Sequence, residues 1–137
     1  MSARSQRWKL NAIPFNGIDS QIVIPHNPLA GVENFTIGAL FLPEAGGEAE
    51  QRFVHVQGDD ESRALLELRS SDHGWYADTF VHFSSGERFL NDPELLHPFG
   101  EWHTLALVYD GCELRQYVNG QMELKAPAPE GRLSDVR

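Results

Sequence analysis

Gly100-Glu101-Trp102-His103-Thr104-Leu105-Ala106-Leu107-Val108-Tyr109-Asp110-Gly111, continued by Leu114-Arg115-Gln116-Tyr117-Val118-Asn119-Gly120, is the stretch whose reading decides the fold. Its β-branched, aromatic and aliphatic residues come in two short runs. Each run is closed by a dipeptide, Asp110-Gly111 or Asn119-Gly120, that accepts the positive φ values of a tight hairpin turn. A third short run, Met122–Lys125, follows the second turn. The segment therefore predicts a three-stranded antiparallel meander over 102–125.

Upstream the pattern continues in strand periods. Ser20–Pro25 alternates and stops at a proline, which has no N–H for a ladder. Asn34–Pro43 is rich in β-formers and again ends on proline. Arg52–Gln57 places Phe53 with His55 on one side and Val54 with Val56 on the other. Ala64–Leu68 is too short for a good helix and lies between polar turns, so it suits a strand. Thr79–Phe83 alternates, and Ser84-Ser85-Gly86 turns the chain toward Arg88–Leu90. One helical turn is expected at Asp92–Leu96, capped by Asp92 with Pro93 in its first position. About ten short strands with a turn signal every eight to twelve residues predict an all-β antiparallel sandwich or jelly roll.

Composition bounds the function. The 137 residues suit a single domain, 12–137, preceded over 1–11 by an N-terminal arm and first strand, in which Trp8 is expected to staple the arm to the sandwich. Eleven basic and twenty acidic residues give a formal charge of −9, which argues against nucleic acid or an anionic membrane as partner. Arg4, Arg7 and Lys9 read as a solvated arm. No apolar run is long enough for a membrane helix, and MSARSQRWKL has no hydrophobic signal region. As written, the chain is expected to remain in the cytoplasm. The single cysteine, Cys112, falls in a hairpin turn and has no internal disulfide partner.

Three segments together resemble the laminin-G-like, concanavalin A-like jelly-roll family. They are Phe15–Pro25, Phe35–Pro43 and the long stretch Gly100–Gly120, in the family's order and spacing over roughly residues 12 to 126. Leu40, with Phe41 beside it, stands where the family usually has a core tryptophan, which implies a repacked core position. The resemblance further implies closing strands beyond Lys125, where this chain has only Ala126-Pro127-Ala128-Pro129-Glu130-Gly131 and 132–137. Three expectations stay open: closing strands that lie outside these residues, strands supplied by a partner chain or a homo-oligomer covering the open sheet edge, or strands reduced to the last six residues.

Catalysis finds little support in the residues. A glycosidase needs two carboxylates flanking the scissile bond, carried on a strand at alternate positions. Asp59-Asp60-Glu61 is contiguous, and Glu67 stands alone among leucines. No nucleophile elbow or phosphate loop is present, and His26, His55, His73, His82, His97 and His103 show no zinc spacing. The chain is therefore expected not to be an enzyme. Of Trp102 and His103, alternation turns one outward; Trp102 is expected in the core and His103 on the solvent side.

The resemblance implies a lectin-like binding module and, in many relatives, calcium at the rim of the sandwich. Calcium takes several oxygen ligands from loops, so Asp59, Asp60, Glu61 and Asp72 are the candidate ligands, against a plain solvated acidic loop. A carbohydrate needs an aromatic platform for a pyranose face with hydrogen-bonding groups beside it. Trp75 and Tyr76 are the candidate platform, with His55, Asp78 and His82 as polar contacts. The competing reading packs Trp75 and Tyr76 into the fold as ordinary β-formers. A protein-interaction or accessory domain without a sugar site is the alternative function.

Overall fold

The computed structural model describes residues 11–134; Trp8 and the basic arm lie outside them. Among the described residues, eight strands form two antiparallel four-stranded sheets. One has the order β1-β6-β7-β8 (Phe35–Phe41, His103–Tyr109, Glu113–Val118, Gln121–Pro127) and the other β2-β3-β4-β5 (Glu50–Gln57, Arg63–Ser71, Gly74–Phe83, Gly86–Asn91). The architecture is the expected all-β sandwich.

The meander 103–127 forms as read. Asn119 and Gly120 adopt φ values of 52° and 79°, the positive pair that a two-residue hairpin requires. At the other turn Asp110 Oδ1 accepts from the Cys112 and Glu113 backbone N–H groups at 2.9 and 2.7 Å. Cys112 is exposed there.

Period-2 alternation fills the space between the sheets. Leu105, Leu107, Tyr109, Leu114 and Val118 face Ala64, Leu66, Leu68, Trp75, Ala77, Val81 and Phe83. Thr79 Oγ1 donates to Gln116 Oε1 at 2.8 Å across this core, so both buried polar groups are satisfied.

The C-terminal residues close one end. Leu133 is 1% exposed and bridges Ala30, with the Gly31 N–H donating to Leu133 O at 2.8 Å. Asn27 Nδ2 donates to Ser134 O, and the Ser134 N–H donates to Ser62 Oγ. Leu133 plugs the sandwich end; it does not extend a sheet edge.

Several local expectations need correction. Ser20–Pro25 forms no strand, and Ile22, Val23 and Ile24 are 62–73% exposed. With no strand beside it among the described residues, its alternation has no ladder to join. A β-bulge between Arg52 and Val54 inserts Phe53, so Phe53 and Val54 both reach the core and only His55 turns outward. Asp92–Leu96 makes a turn, closed by the Leu95 N–H on Asp92 O at 3.1 Å, and not a helix. Asp92 does cap it, accepting from the Glu94 N–H.

Trp102 is 43% exposed and His103 is 3% exposed, the reverse of the expectation. His103 is paired with Phe41, whose side chain also points inward, so strand parity sends Trp102 outward. By the same parity Leu40 is 53% exposed and Phe41 packs inward, so position 40 is not a core position in this chain.

Candidate functional site

The outer face of the β2–β5 sheet is organised in rows by its register. Glu50, Arg69 and Tyr76 lie side by side in the first row, and Arg52, Glu67, Asp78 and Asn91 in the second. His55, Leu65, Phe80 and Phe89 make the third, and Gln57, Arg63, His82 and Glu87 the fourth. One apolar row is thus flanked by polar rows.

Four of the five candidate sugar contacts lie on this face, one in each row: Tyr76, Asp78, His55 and His82. Trp75 does not. Alternation puts it on the core side of β4 at 0% exposure, its ring 5.3 Å from Phe41 and 5.0 Å from His103, with Nε1 donating to Pro98 O at 3.1 Å. Its face is therefore closed to any ligand, and the turn expected to carry it ends at His73, one residue before β4 begins.

The open aromatic surface belongs to Phe89, 56% exposed, whose ring lies tilted against the buried Phe80, centroids 4.7 Å apart. The Arg63 guanidinium covers the Phe80 ring at 5.3 Å. Such cation–π and ring contacts hold a platform by shape at modest energy, on the order of 1 kcal/mol each. Burial pushes the partly covered His55 imidazole below its ordinary value, and nearby Arg52 adds to that. His55 thus presents a neutral ring with both a donor and an acceptor at neutral pH.

Glu67 does not stand alone: its cross-strand neighbour is Asp78, and the two are 4% and 2% exposed. Arg52 Nε meets Glu67 Oε1 at 2.6 Å, and Arg69 Nε meets Asp78 Oδ2 at 2.9 Å. Asn91 Nδ2 donates to Asp78 Oδ1 at 3.3 Å. Both carboxylates are thus committed to fixed donors, an arrangement that suits a rigid polar surface. The residues missed earlier on this face are Arg52, Arg63, Leu65, Glu67, Arg69, Phe80 and Phe89. Arg63-Leu65-Glu67-Arg69 against Ala64-Leu66-Leu68 was the legible signal: one strand with a polar and an apolar side.

A second polar cluster lies inside the end opposite Leu133. A bulge in β8 leaves Glu123 without a cross-strand partner, and its Oε2 meets His97 Nε2 at 2.8 Å. His103 Nε2 contacts Pro98 O and its Nδ1 contacts Asn119 Nδ2. These groups fasten the loop before β6 onto Trp75, whose backbone exchanges two hydrogen bonds with His97.

The calcium candidates do not share a site. Asp59, Asp60 and Glu61 precede β3 and Asp72 follows it; nine strand residues separate them by about 30 Å. Among the described residues no three His, Cys, Asp or Glu side chains are grouped to hold a metal. Ser134 Oγ donates to Asp59 and Asp60, and the Ser62 N–H donates to Asp60 Oδ1 at 3.0 Å. The Ser134 and Ser62 hydrogen bonds hold the Asp60 carboxyl at about 2, below its ordinary 3.8. A carboxyl lowered on folding contributes stability above its unfolded value, lost as pH falls through the folded one. Melting temperature is therefore expected to decline between pH 3.8 and about 2 more steeply in the native chain than in Asp60→Asn. Equal slopes would show that the Ser134–Asp60 contact is not formed in solution.

Comparison with known proteins agrees with this architecture. Residues 16–135 match a family model described as the concanavalin A-like lectin/glucanases superfamily. Among solved structures, the mouse laminin alpha1 chain, domains LG4-5, is similar at a TM-score of 0.59 and 17% identity. The match covers 82% of this chain and 28% of that one, so the likeness is one of fold. No curated protein matches the chain.

Proposed function

Since the chain belongs to the concanavalin A-like lectin/glucanase superfamily, and is a binding module in that general sense, we propose that it binds a carbohydrate non-catalytically on the outer face of β2–β5. The observation that carries this reading is the row His55–Leu65–Phe80–Phe89 lying between rows of hydrogen-bonding side chains. A pyranose ring offers an apolar face of C–H groups and an equatorial rim of hydroxyls. Phe89 supplies an open ring for the face; Asn91, two residues along β5, and His82, diagonal to it on β4, lie beside it for the rim, while His55 and Tyr76 lie farther across the sheet where only a longer glycan reaches. A non-catalytic role is supported by the state of Glu67 and Asp78, whose oxygens are engaged by arginine and asparagine and not left free for acid–base work.

A glycan array with the native chain and Phe89→Ala tests the reading. Phe89 is 56% exposed, so its removal should cost no more than about 1 kcal/mol, the worth of its ring contact with Phe80. Binding to at least one glycan class is expected, weakened about tenfold by the substitution, which corresponds to ~1.4 kcal/mol. An array without a bound glycan, or affinity unchanged in Phe89→Ala, defeats it.

A further inference from the structure

Arg52, Arg63 and Arg69 stand in the rows of the outer β2–β5 face, and two of them are engaged by carboxylates. Arg52 Nε meets Glu67 at 2.6 Å, and Arg69 meets Asp78 at 2.9 Å and Glu50 at 3.3 Å. Arg63 is the exception. Its guanidinium lies over the Phe80 ring, makes no ion pair among the described residues, and holds a buried Nε–H that has no hydrogen-bond acceptor. Buried charged donors in native folds are nearly always paired, because an unmet one loses its hydration without compensation. An acceptor brought from outside the chain would supply what the fold does not.

The surroundings define that acceptor. Arg63 lines a cavity of about 180 Å³ with Gln57, Glu61 and His82. The cavity lies beside the apolar row, since Arg63 and His82 are cross-strand partners and Phe80 is two residues from His82. Phe80 is the shared neighbour: the guanidinium is 5.3 Å from its ring centroid, and the Phe89 ring is 4.7 Å from it on the β5 side. A sugar resting on Phe89 therefore brings its own substituents, or those of the next residue, to the guanidinium. The planar fork of Arg63 matches a carboxylate, which accepts two parallel N–H bonds and compensates the charge. A hydroxyl can accept a bond there but brings no charge to the cation.

Resting on the carbohydrate reading above, we propose that the ligand is an acidic glycan with an isolated carboxylate, and that Arg63 is the residue selecting for it. Isolation matters. Glu61 lines the same cavity and Glu87 lies 3.4 Å from His82, so a ligand charged at every sugar meets these carboxylates as it meets Arg63. The net charge of −9 repels such a polyanion further. One carboxylate against one guanidinium, with neutral sugar on either side, fits both the free cation and its acidic surroundings. Hexuronic and sialic acids each offer that group.

Binding of the full chain to matched immobilised oligosaccharides tests the proposal. The probes are one oligosaccharide with a single hexuronic acid, one with a single sialic acid, the carboxyl-reduced form of each, and a polysulfated chain. At least one acid is expected to bind about tenfold tighter than its reduced form, and the one that does identifies the source of the carboxylate. The preference should fall to near parity in Arg63→Gln and be kept in part by Arg63→Lys, which retains the charge without the fork. The native preference is read without any variant, so the proposal can fail even if Arg63→Gln does not fold. Equal affinity for acid and reduced form overturns it and leaves the carbohydrate reading standing. A preference that survives Arg63→Gln, or tighter binding to the polysulfated chain, overturns it as well. Acid binding lost in Arg63→Gln yet unchanged in Phe89→Ala upholds Arg63 and defeats the Phe89 platform, whereas no binding to any probe defeats both.

Discussion

Trp75→Ala is expected to destabilise the fold by about 3–5 kcal/mol, read as a lower urea midpoint with an unchanged m-value. The indole is fully buried against Phe41, His97 and His103. Removing it opens a cavity at the end where the loop before β6 docks, and strands the Pro98 carbonyl that accepts from Nε1. Small domains have a total stability of about 5–15 kcal/mol, so much of the population could unfold. Loss of glycan binding in Trp75→Ala would therefore not place the indole in the proposed sugar site. Phe89→Ala is the diagnostic change for that reason. A loss below about 1 kcal/mol for Trp75→Ala would mean that the indole is not packed as described.

Breaking the arginine–carboxylate network on the outer face should have the next largest effect. Arg69→Met leaves Asp78 buried beside Glu67 without its main cation, which typically costs about 3–5 kcal/mol. Arg69 is itself 37% exposed, so water screens part of this and about 2–3 kcal/mol is the expectation. Adding Asp78→Leu should recover part of the loss, because the stranded charge goes with it. The decisive quantity is the coupling in this double-mutant cycle. Additive losses would show that Arg69 and Asp78 act independently, and the outer face would then lack the rigidity that a preformed binding surface needs.

How legible this was in the sequence depended on which interactions were local. The hairpins at Asp110-Gly111 and Asn119-Gly120 were readable because φ preference is a property of the turn residues themselves. Strands β2 to β8 followed from alternation and lay within a few residues of their expected bounds; the largest extension was β4, which begins at Gly74 instead of Thr79. Parity was harder. Trp102 and His103 were assigned to the wrong sides because hydrophobicity outvoted register, and the register is set by Phe41 on a distant strand. Phe53 was misplaced because a bulge adds a residue that no composition signals.

The outer face shows the same division. Tyr76, His55, Asp78 and His82 were picked by chemistry, and the sheet does gather them. Trp75 was picked by chemistry alone, and its neighbour's parity excludes it. Glu67 seemed isolated because its partner Asp78 is eleven positions away in sequence and adjacent only across a strand pair. The calcium ligands were grouped by acidity, although Asp72 sits at the far end of β3.

The bridge between Ala30 and Leu133 has a kinetic side. It joins residues about a hundred positions apart and seals the interior at one end. During synthesis, the two sheets can assemble as their hairpins emerge, yet water keeps access to the core until position 133 has left the ribosome. At the usual pace of about 5–20 residues per second, the early strands wait several seconds in that unsealed condition. Long-range closure of this kind also slows refolding more than it alters stability, since the entropy of closing so long a loop grows only logarithmically with its length.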